Sequence, residues 1–302
     1  MDRKILDYVA KTVYKCEDWR DWKRYYVFMA RCYLNKSKVE ELIEFFNKTP
    51  LRKRIILATP WFIDQATRQI FFKGSNFTER VDLIEAHITA MEQVFTEEFI
   101  ERIYVKKEPI VIWQDEFQEK PITMDIKFFN GQQKEGCLSL NLMYDSAWPL
   151  YQIIFSCLPS RENGEKSLYI GALQGSNKGN EFVKLLTKAY FGYRTKNLIF
   201  YCFRNVARRF GVKHIYAVSN GGHYAQNHMR MDRKVKTDLD GFWEECGGQQ
   251  LVDKRFFEIP IEEHIKEFSE MKPSKRANYR RRLAKMEEME ATVFENLKQY
   301  MK

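Results

Sequence analysis

The 302-residue chain has little glycine (14) and little proline (8), which excludes long flexible linkers and low-complexity architectures. No internal repeat is present, so solenoids and propellers are excluded. None of the six cysteines (16, 32, 137, 157, 202 and 246) stands in a C-x-x-C pair, which removes zinc-finger and thioredoxin-like readings. All but Cys16 have apolar or aromatic near neighbours and read as small core residues, including Cys246 on the stripe with Phe242 and Trp243. That usage fits a reducing compartment. No run approaches the roughly 18 apolar residues of a membrane span. The first residues, "MDRKILDYVAKTVYKCEDWRDW", are too charged for a signal peptide. The expectation is a soluble, cytoplasmic protein, at most peripheral to the inner membrane.

What the chain does have is aromatic and basic. Aromatic residues make up 15% of it, and the net charge is +9. Packed cores are easily built, and the basic surplus favours anionic partners such as phosphate-bearing cofactors, carrier proteins, acidic lipid or nucleic acid.

The first hundred residues read as helices. In "NKSKVEELIEFFNK", Ser37 and Glu40 have capping-box spacing, and Val39, Leu42, Ile43 and Phe46 share a face. "TERVDLIEAHITAMEQVF" starts at a capping Thr78, with Val81, Ile84, Ile88, Met91 and Phe95 at three-four spacing. "PWFIDQATRQIFF" reads as helical too. Near residue 103 the grammar changes. "IYVKKEPIVIW", "ITMDIKFFNGQQKEGCLSLNLMY" and "PLYQIIFSCLP" are β-branched and aromatic, with a hairpin turn at Asn130-Gly131. "SLYIGALQG" is the next strand. Two helices follow, the second capped by Thr195, with Ile199, Cys202, Phe203, Val206, Ala207 and Phe210 buried and Gly211 ending it. Then come a strand "KHIYAVS", a helix "LDGFWEECGG" and a last strand "KRFFEIPI". The tail carries seven basic residues between Lys272 and Lys285, followed by apolar positions at helical spacing. It reads as a helix packed by one stripe or, alternatively, as a basic helix for acidic lipid or a partner.

Three divisions are expected: a helical region over 1–103, an α+β domain over 104–268 and a basic amphipathic helix over 269–302. In the middle division, a strand, a crossover helix and a second strand imply a right-handed βαβ unit. Strands 167–173 and 213–219 should then be parallel neighbours. Where such strands splay, a cleft opens beside a helix amino terminus whose free amides favour an anion.

This order resembles the GNAT acyltransferases, and "FWEECGGQQLVDKRFFEIP" is similar to that superfamily's late helix, Gly-Phe step and final strand. The fold expected is therefore α+β: N-terminal helices, a mixed and mainly antiparallel GNAT-like sheet with flanking helices, and the C-terminal helix. The superfamily's Q/R-x-x-G-x-G/A phosphate loop is absent. Gln174-Gly175 opens a longer connection through Gly179, and Arg194 and Lys196 at the later helix start are equal candidates for phosphate. Over most of the chain, "YIGALQG", "FGYRTKNLIF", "AVSNGGH", "DLDGFWEECGG" and "SKRANYRRRLAKM" resemble the bacterial VirK/YbjX family, a domain of unknown function. That resemblance implies a cytoplasmic bacterial protein associated with virulence and with resistance to envelope-attacking antimicrobial peptides. It brings no established reaction.

His223, just past a strand on a glycine-loosened loop, suits a general base or a loop staple. Asn220 could orient substrate or form the turn. Asp240, like Asp238, could cap the Phe242-Trp243 helix, orient His223 or act as a base. His228 shares no helix face with His223, so no metal site is expected; His87, His214 and His264 read as structural or exposed. Arg230, Arg233, Lys234 and Lys236 form a basic loop that could join Arg194 and Lys196 in receiving phosphate, or remain solvated. The functional expectation is an acyltransferase using an acyl-coenzyme A or acyl-carrier thioester. Its base would be His223, and its oxyanion donors would come from the backbone of Ile170–Leu173. The alternative is a non-catalytic or membrane-peripheral module on the same fold. Nucleic acid is disfavoured, because the basic residues are interspersed with acids and no stacking motif occurs.

Overall fold

A computed structural model describes residues 3–128, 133–145, 148–160, 163–176, 180–227 and 237–302. The turn expected at Asn130-Gly131 lies outside them, as do Gly179, His228, Arg230, Arg233, Lys234 and Lys236.

The first third is helical: α1 (Arg3–Tyr14), α2 (Trp19–Leu34), α3 (Lys36–Asn47), α4 (Pro50–Ala58), α5 (Trp61–Thr67), α6 (Phe77–Val94) and α7 (Glu97–Ile100). The α6 stripe is buried as its spacing predicts, from Val81 to Phe95. Its cap differs. Asn76 accepts from the Glu79 amide while the Glu79 carboxylate accepts from the Asn76 amide, so the box starts two residues before Thr78. In α3 the helix already begins at Lys36, and the expected Ser37–Glu40 box has no place. The apolar run after Thr67 leaves the helix: the Phe71 amide bonds the Lys134 carbonyl and Phe72 bridges to His223. Residues 101–106 form a turn of π-helix rather than strand, burying Ile103 and Tyr104.

Eight strands form one sheet in the order β1-β2-β3-β4-β5-β6-β8-β7. They are β1 (Ile110–Phe117), β2 (Lys120–Lys127), β3 (Leu138–Tyr144), β4 (Trp148–Pro159), β5 (Lys166–Gly175), β6 (His214–Val218), β7 (Gln249–Gln250) and β8 (Phe256–Ile259). Every pairing is antiparallel except β5 with β6. Between those two come α8 (Asn180–Ala189) and α9 (Thr195–Arg209). The fold is α+β, and the anticipated parallel neighbours are neighbours. Arg194, not Thr195, holds the cap position of α9; the Thr195 hydroxyl is buried without a hydrogen-bond partner among the described residues.

Alternation along β4 serves two layers. Phe155 meets Phe203 of α9 on one face, while Ser156 and Leu158 face α6 on the other. The α10 helix (Asp240–Glu245) sends the Trp243 indole N–H to the Val218 carbonyl. The last helix, α11 (Pro273–Lys298), is consumed by packing: Tyr279, Met286, Met289, Val293 and Leu297 are buried, and the helix lies against α9 and β1. Among the described residues no helix is long and apolar enough to cross a membrane.

Candidate functional site

The parallel pairing stops short of the end of β5, and the point where β6 leaves it is a fork. Pairing runs from Ser167 opposite His214 to Ile170 opposite Ala217. β6 then ends at Val218, whereas β5 continues to Gly175. On its other edge β5 keeps its partner, with one break: Ile154 faces Ala172 and Phe155 faces Ile170, so Gly171 is an extra residue. A bulge re-aims the residues after it and loosens the ladder. Here bulge and fork fall on adjacent residues.

Segment 133–137 folds over this point. A Cβ on Gly171 would strike the Glu135 carbonyl, and one on Gly136 would meet the Phe155 backbone at 2.7 Å, so both close approaches require glycine. The Lys134 carbonyl accepts from the Phe71 amide (2.7 Å), and the Cys137 amide donates to the Phe155 carbonyl (3.0 Å) and to Ser156 Oγ (3.2 Å). The Glu135 side chain is thereby fixed inside the protein, with the residue 8% exposed. It accepts a hydrogen bond from the Tyr224 hydroxyl, and Gln174 Nε2 lies 3.5 Å from Oε1. Oε2 has no partner among the described residues. Burial pushes the carboxyl up to about 7, against the pull of Lys134 and Tyr224. A carboxyl poised there can take or give a proton near neutrality.

Glu135 lines a largely apolar cavity of about 260 Å³ whose floor includes Tyr169, Gly171, Val218 and Phe256. Phe72 and Leu83 belong to its walls. Gly171 and Val218 are the residues just beyond the last parallel pair, so the cavity sits at the fork itself.

A row of polar side chains leads across the sheet to the same carboxyl. Asp125 faces Asn141, Asn141 faces Gln152, and Gln152 faces Gln174 on four successive strands. Asn141 Nδ2 donates to Asp125 Oδ1 (2.7 Å), and Gln152 Nε2 donates to Asn141 Oδ1 (2.7 Å). Asp125, Asn141 and Gln152 are buried. Burial raises the Asp125 carboxyl, opposed by Lys127 and Asn141.

The residues singled out from the sequence fall into three groups. His223 is buried beside the cavity wall, bridged to Phe72. Its Nδ1 accepts from the Ala225 amide (3.1 Å), and burial depresses it to about 4, so the ring is neutral at pH 7. Asn220 and Asp240 lock each other. The Asn220 amide donates to Asp240 Oδ1 (2.6 Å); Asn220 Oδ1 accepts from Leu239 (2.7 Å) and Asp240 (2.9 Å); and its Nδ2 donates to the Thr237 carbonyl (2.6 Å). Together they fix the loop that delivers Tyr224. Asp238 accepts from the Gly241 amide at the start of α10.

The third group lies at the end of β5. Gln174 turns toward Glu135, and Gly175 lies under the Tyr151 ring, where a Cβ would come within 2.8 Å. Tyr151 in turn lines a cavity of about 440 Å³ with Arg194, Thr195 and Lys196 at the α9 amino terminus. Arg194 pairs with Glu245, and Lys196 Nζ stands 3.9 Å over the Phe242 ring, its pKa lowered by burial. Among the described residues no cluster of His, Cys, Asp or Glu could hold a metal ion. Cys246 is half-buried and its thiol is pushed up to about 11, so it is not a thiolate at neutral pH.

Glu135 and Tyr224, bonded to each other beside the cavity, are not singled out by the sequence. The signal available was slight: a lone acid and a glycine, Glu135-Gly136, closing a polar hairpin before an apolar strand.

Comparison with known proteins agrees with the resemblance in the motifs. The family model described as "Protein of unknown function (DUF535)" matches residues 17–295. The "Uncharacterized protein YbjX" of Escherichia coli (strain K12) is 29% identical over 180 residues, covering 57% of this chain and 53% of that protein. The match thus spans about half the length of that curated relative.

Proposed function

The chain belongs to the DUF535 family of unknown function, and from that premise and the site's geometry we propose that it is an acyltransferase acting on an acyl thioester carried by coenzyme A or an acyl-carrier protein. The observation that carries this reading is Glu135, a buried carboxyl ionising near neutrality with one oxygen unpaired among the described residues, in an apolar cavity at a fork between parallel strands. The cavity takes the acyl chain. Arg194 and Lys196, at the tip of α9, take phosphate. The acceptor's nitrogen or oxygen attacks the thioester carbonyl carbon while its proton passes to Glu135. The C–S bond breaks, and the departing thiolate collects a proton from Glu135 or solvent. Backbone amides of β5 beyond Ile170, which have no partner on β6, stabilise the oxyanion. His223, Asn220 and Asp240 act as positioning residues for Tyr224. A role in virulence or in resistance to envelope-attacking peptides, with an acceptor at the envelope and a cytoplasmic location, belongs to the same proposal.

Titration of the protein with acyl-coenzyme A, followed by thermal shift and by release of free thiol, tests it. The expected result is a saturable rise in Tm, weakened tenfold or more by Arg194→Ala with Lys196→Ala. Glu135→Gln should keep the binding and lose thiol release. A flat response to every acyl thioester, carrier-bound ones included, removes the proposal. It would leave the second reading, a membrane-peripheral binding module, which one observation favours: a row of exposed aromatic residues on α2.

A further inference from the structure

Helix α2 has two apolar stripes, and only one meets the core. Tyr25, Phe28, Met29 and Cys32 are buried. Trp19, Trp22, Tyr26 and Tyr33 follow one another at spacings of three, four and seven, a second face of the same helix, and all four are exposed. Trp19 is 69% exposed and the adjoining Leu34 84%. A helix that only closes a core has no need of this second stripe.

A basic row runs alongside it. Arg20, Arg24 and Arg31 follow one another at spacings of four and seven on the flank beyond Trp19, and Lys23, Val27 and Leu34 lie between that row and the rings. Together with Trp19, Lys23 and Arg68, the three arginines line a groove of about 470 Å³. Arg24 pairs with Asp21, and Arg68 with Asp64. Arg20, Lys23 and Arg31 have no acidic partner among the described residues.

We propose that this face of α2 docks on an anionic phospholipid bilayer, with Trp19, Trp22, Tyr26 and Tyr33 at the headgroup level and the basic row on lipid phosphates. The residue types decide the occupant. Tryptophan and tyrosine, amphipathic rings beside Arg and Lys, match the boundary between headgroups and acyl chains. The charge complements an acidic leaflet. A nucleic acid would not be served by the exposed Val27 and Leu34 between the rings and the basic row. The expectation of lipid contact thus moves from the tail to α2, since the apolar stripe of α11 is spent on α9 and β1. This inference stands apart from the acyl-transfer reading.

Co-sedimentation of the full chain with phosphatidylcholine vesicles, with and without phosphatidylglycerol, tests it. Binding should require phosphatidylglycerol and weaken as salt rises. Trp19→Ala with Trp22→Ala, and separately Arg20→Glu with Lys23→Glu, should each reduce partitioning by roughly tenfold or more without changing Tm. Arg280→Glu with Arg281→Glu on α11 should leave it unchanged. The proposal is overturned by no binding, by equal binding to neutral vesicles, by indifference to the α2 substitutions, or by single-stranded RNA displacing the protein from vesicles.

Discussion

The hydroxyl of Tyr224 donates to the carboxyl of Glu135, joining the loop after β6 to the segment that crosses the fork. That bond favours the ionised acid, while burial opposes it. Tyr224→Phe should therefore move the Glu135 pKa further up. Carbon-13 chemical shifts of labelled glutamate against pH would read the change. A downward shift, or none, would mean that the hydroxyl does not govern the acid.

Glu135 also makes stability depend on pH. Its folded pKa of about 7 lies above the ordinary 4.5, so the folded state holds the extra proton between those values. The contribution is complete below 4.5 and is lost as pH rises through 7, in total about 3 kcal/mol. Glu135→Gln should remove this slope. Urea unfolding of both proteins from pH 4.5 to 8 should show the variant gaining on the wild type as pH rises; a constant difference counts against the buried acid.

His87 works in the opposite sense. Its Nδ1 accepts from the Cys157 amide (3.0 Å), so Nε2 carries the proton toward Tyr104 (2.6 Å). Burial lowers its pKa to about 3, and His223 is depressed in the same direction. The stability tied to a neutral ring is present above about 6.5 and is lost as pH falls through the folded value. His87→Gln should narrow the gap to wild type as pH drops from 6.5 toward 4. A gap that widens would sink the assignment.

Asn141 is the keystone of the polar row. Truncation to alanine removes the one amide that both Asp125 and Gln152 bond inside the sheet, so Asn141→Ala should cost about 2–3 kcal/mol. Denaturant midpoints would measure it. A loss below about 0.5 kcal/mol would show that water replaces the missing amide.

The sequence made some of this legible and hid the rest for a physical reason. The parallel pair follows from a strand, helix and strand in order, and the buried stripes of α6 and α9 follow from their periodicity; both are local patterns. Asn76 took the cap from Thr78 because neighbouring residues of similar capping chemistry cannot be ranked without backbone angles. Asp125, Asn141 and Gln152 alternate with apolar residues, which reads as a solvated strand face. Only the fold shows that face to be covered. Glu135 was invisible because its burial depends on Gly171 and on Tyr224, distant in the chain, and nothing near it in sequence reports on either. His223 is the chemically versatile residue of its loop, while its neighbour Tyr224 makes the contact with Glu135.

Finally, the stretch near the carboxyl end is stitched to the first third of the molecule. The Thr96 amide donates to the Tyr300 carbonyl, the Lys302 amide to that of Val94, and the Arg102 guanidinium to the Tyr300 hydroxyl. Residues 262–272 between β8 and α11 are mostly exposed. A protease nick there would leave α11 held by its carboxyl end and by its packing on α9 and β1: the cleaved chain should elute from a sizing column as one body and separate only on a denaturing gel.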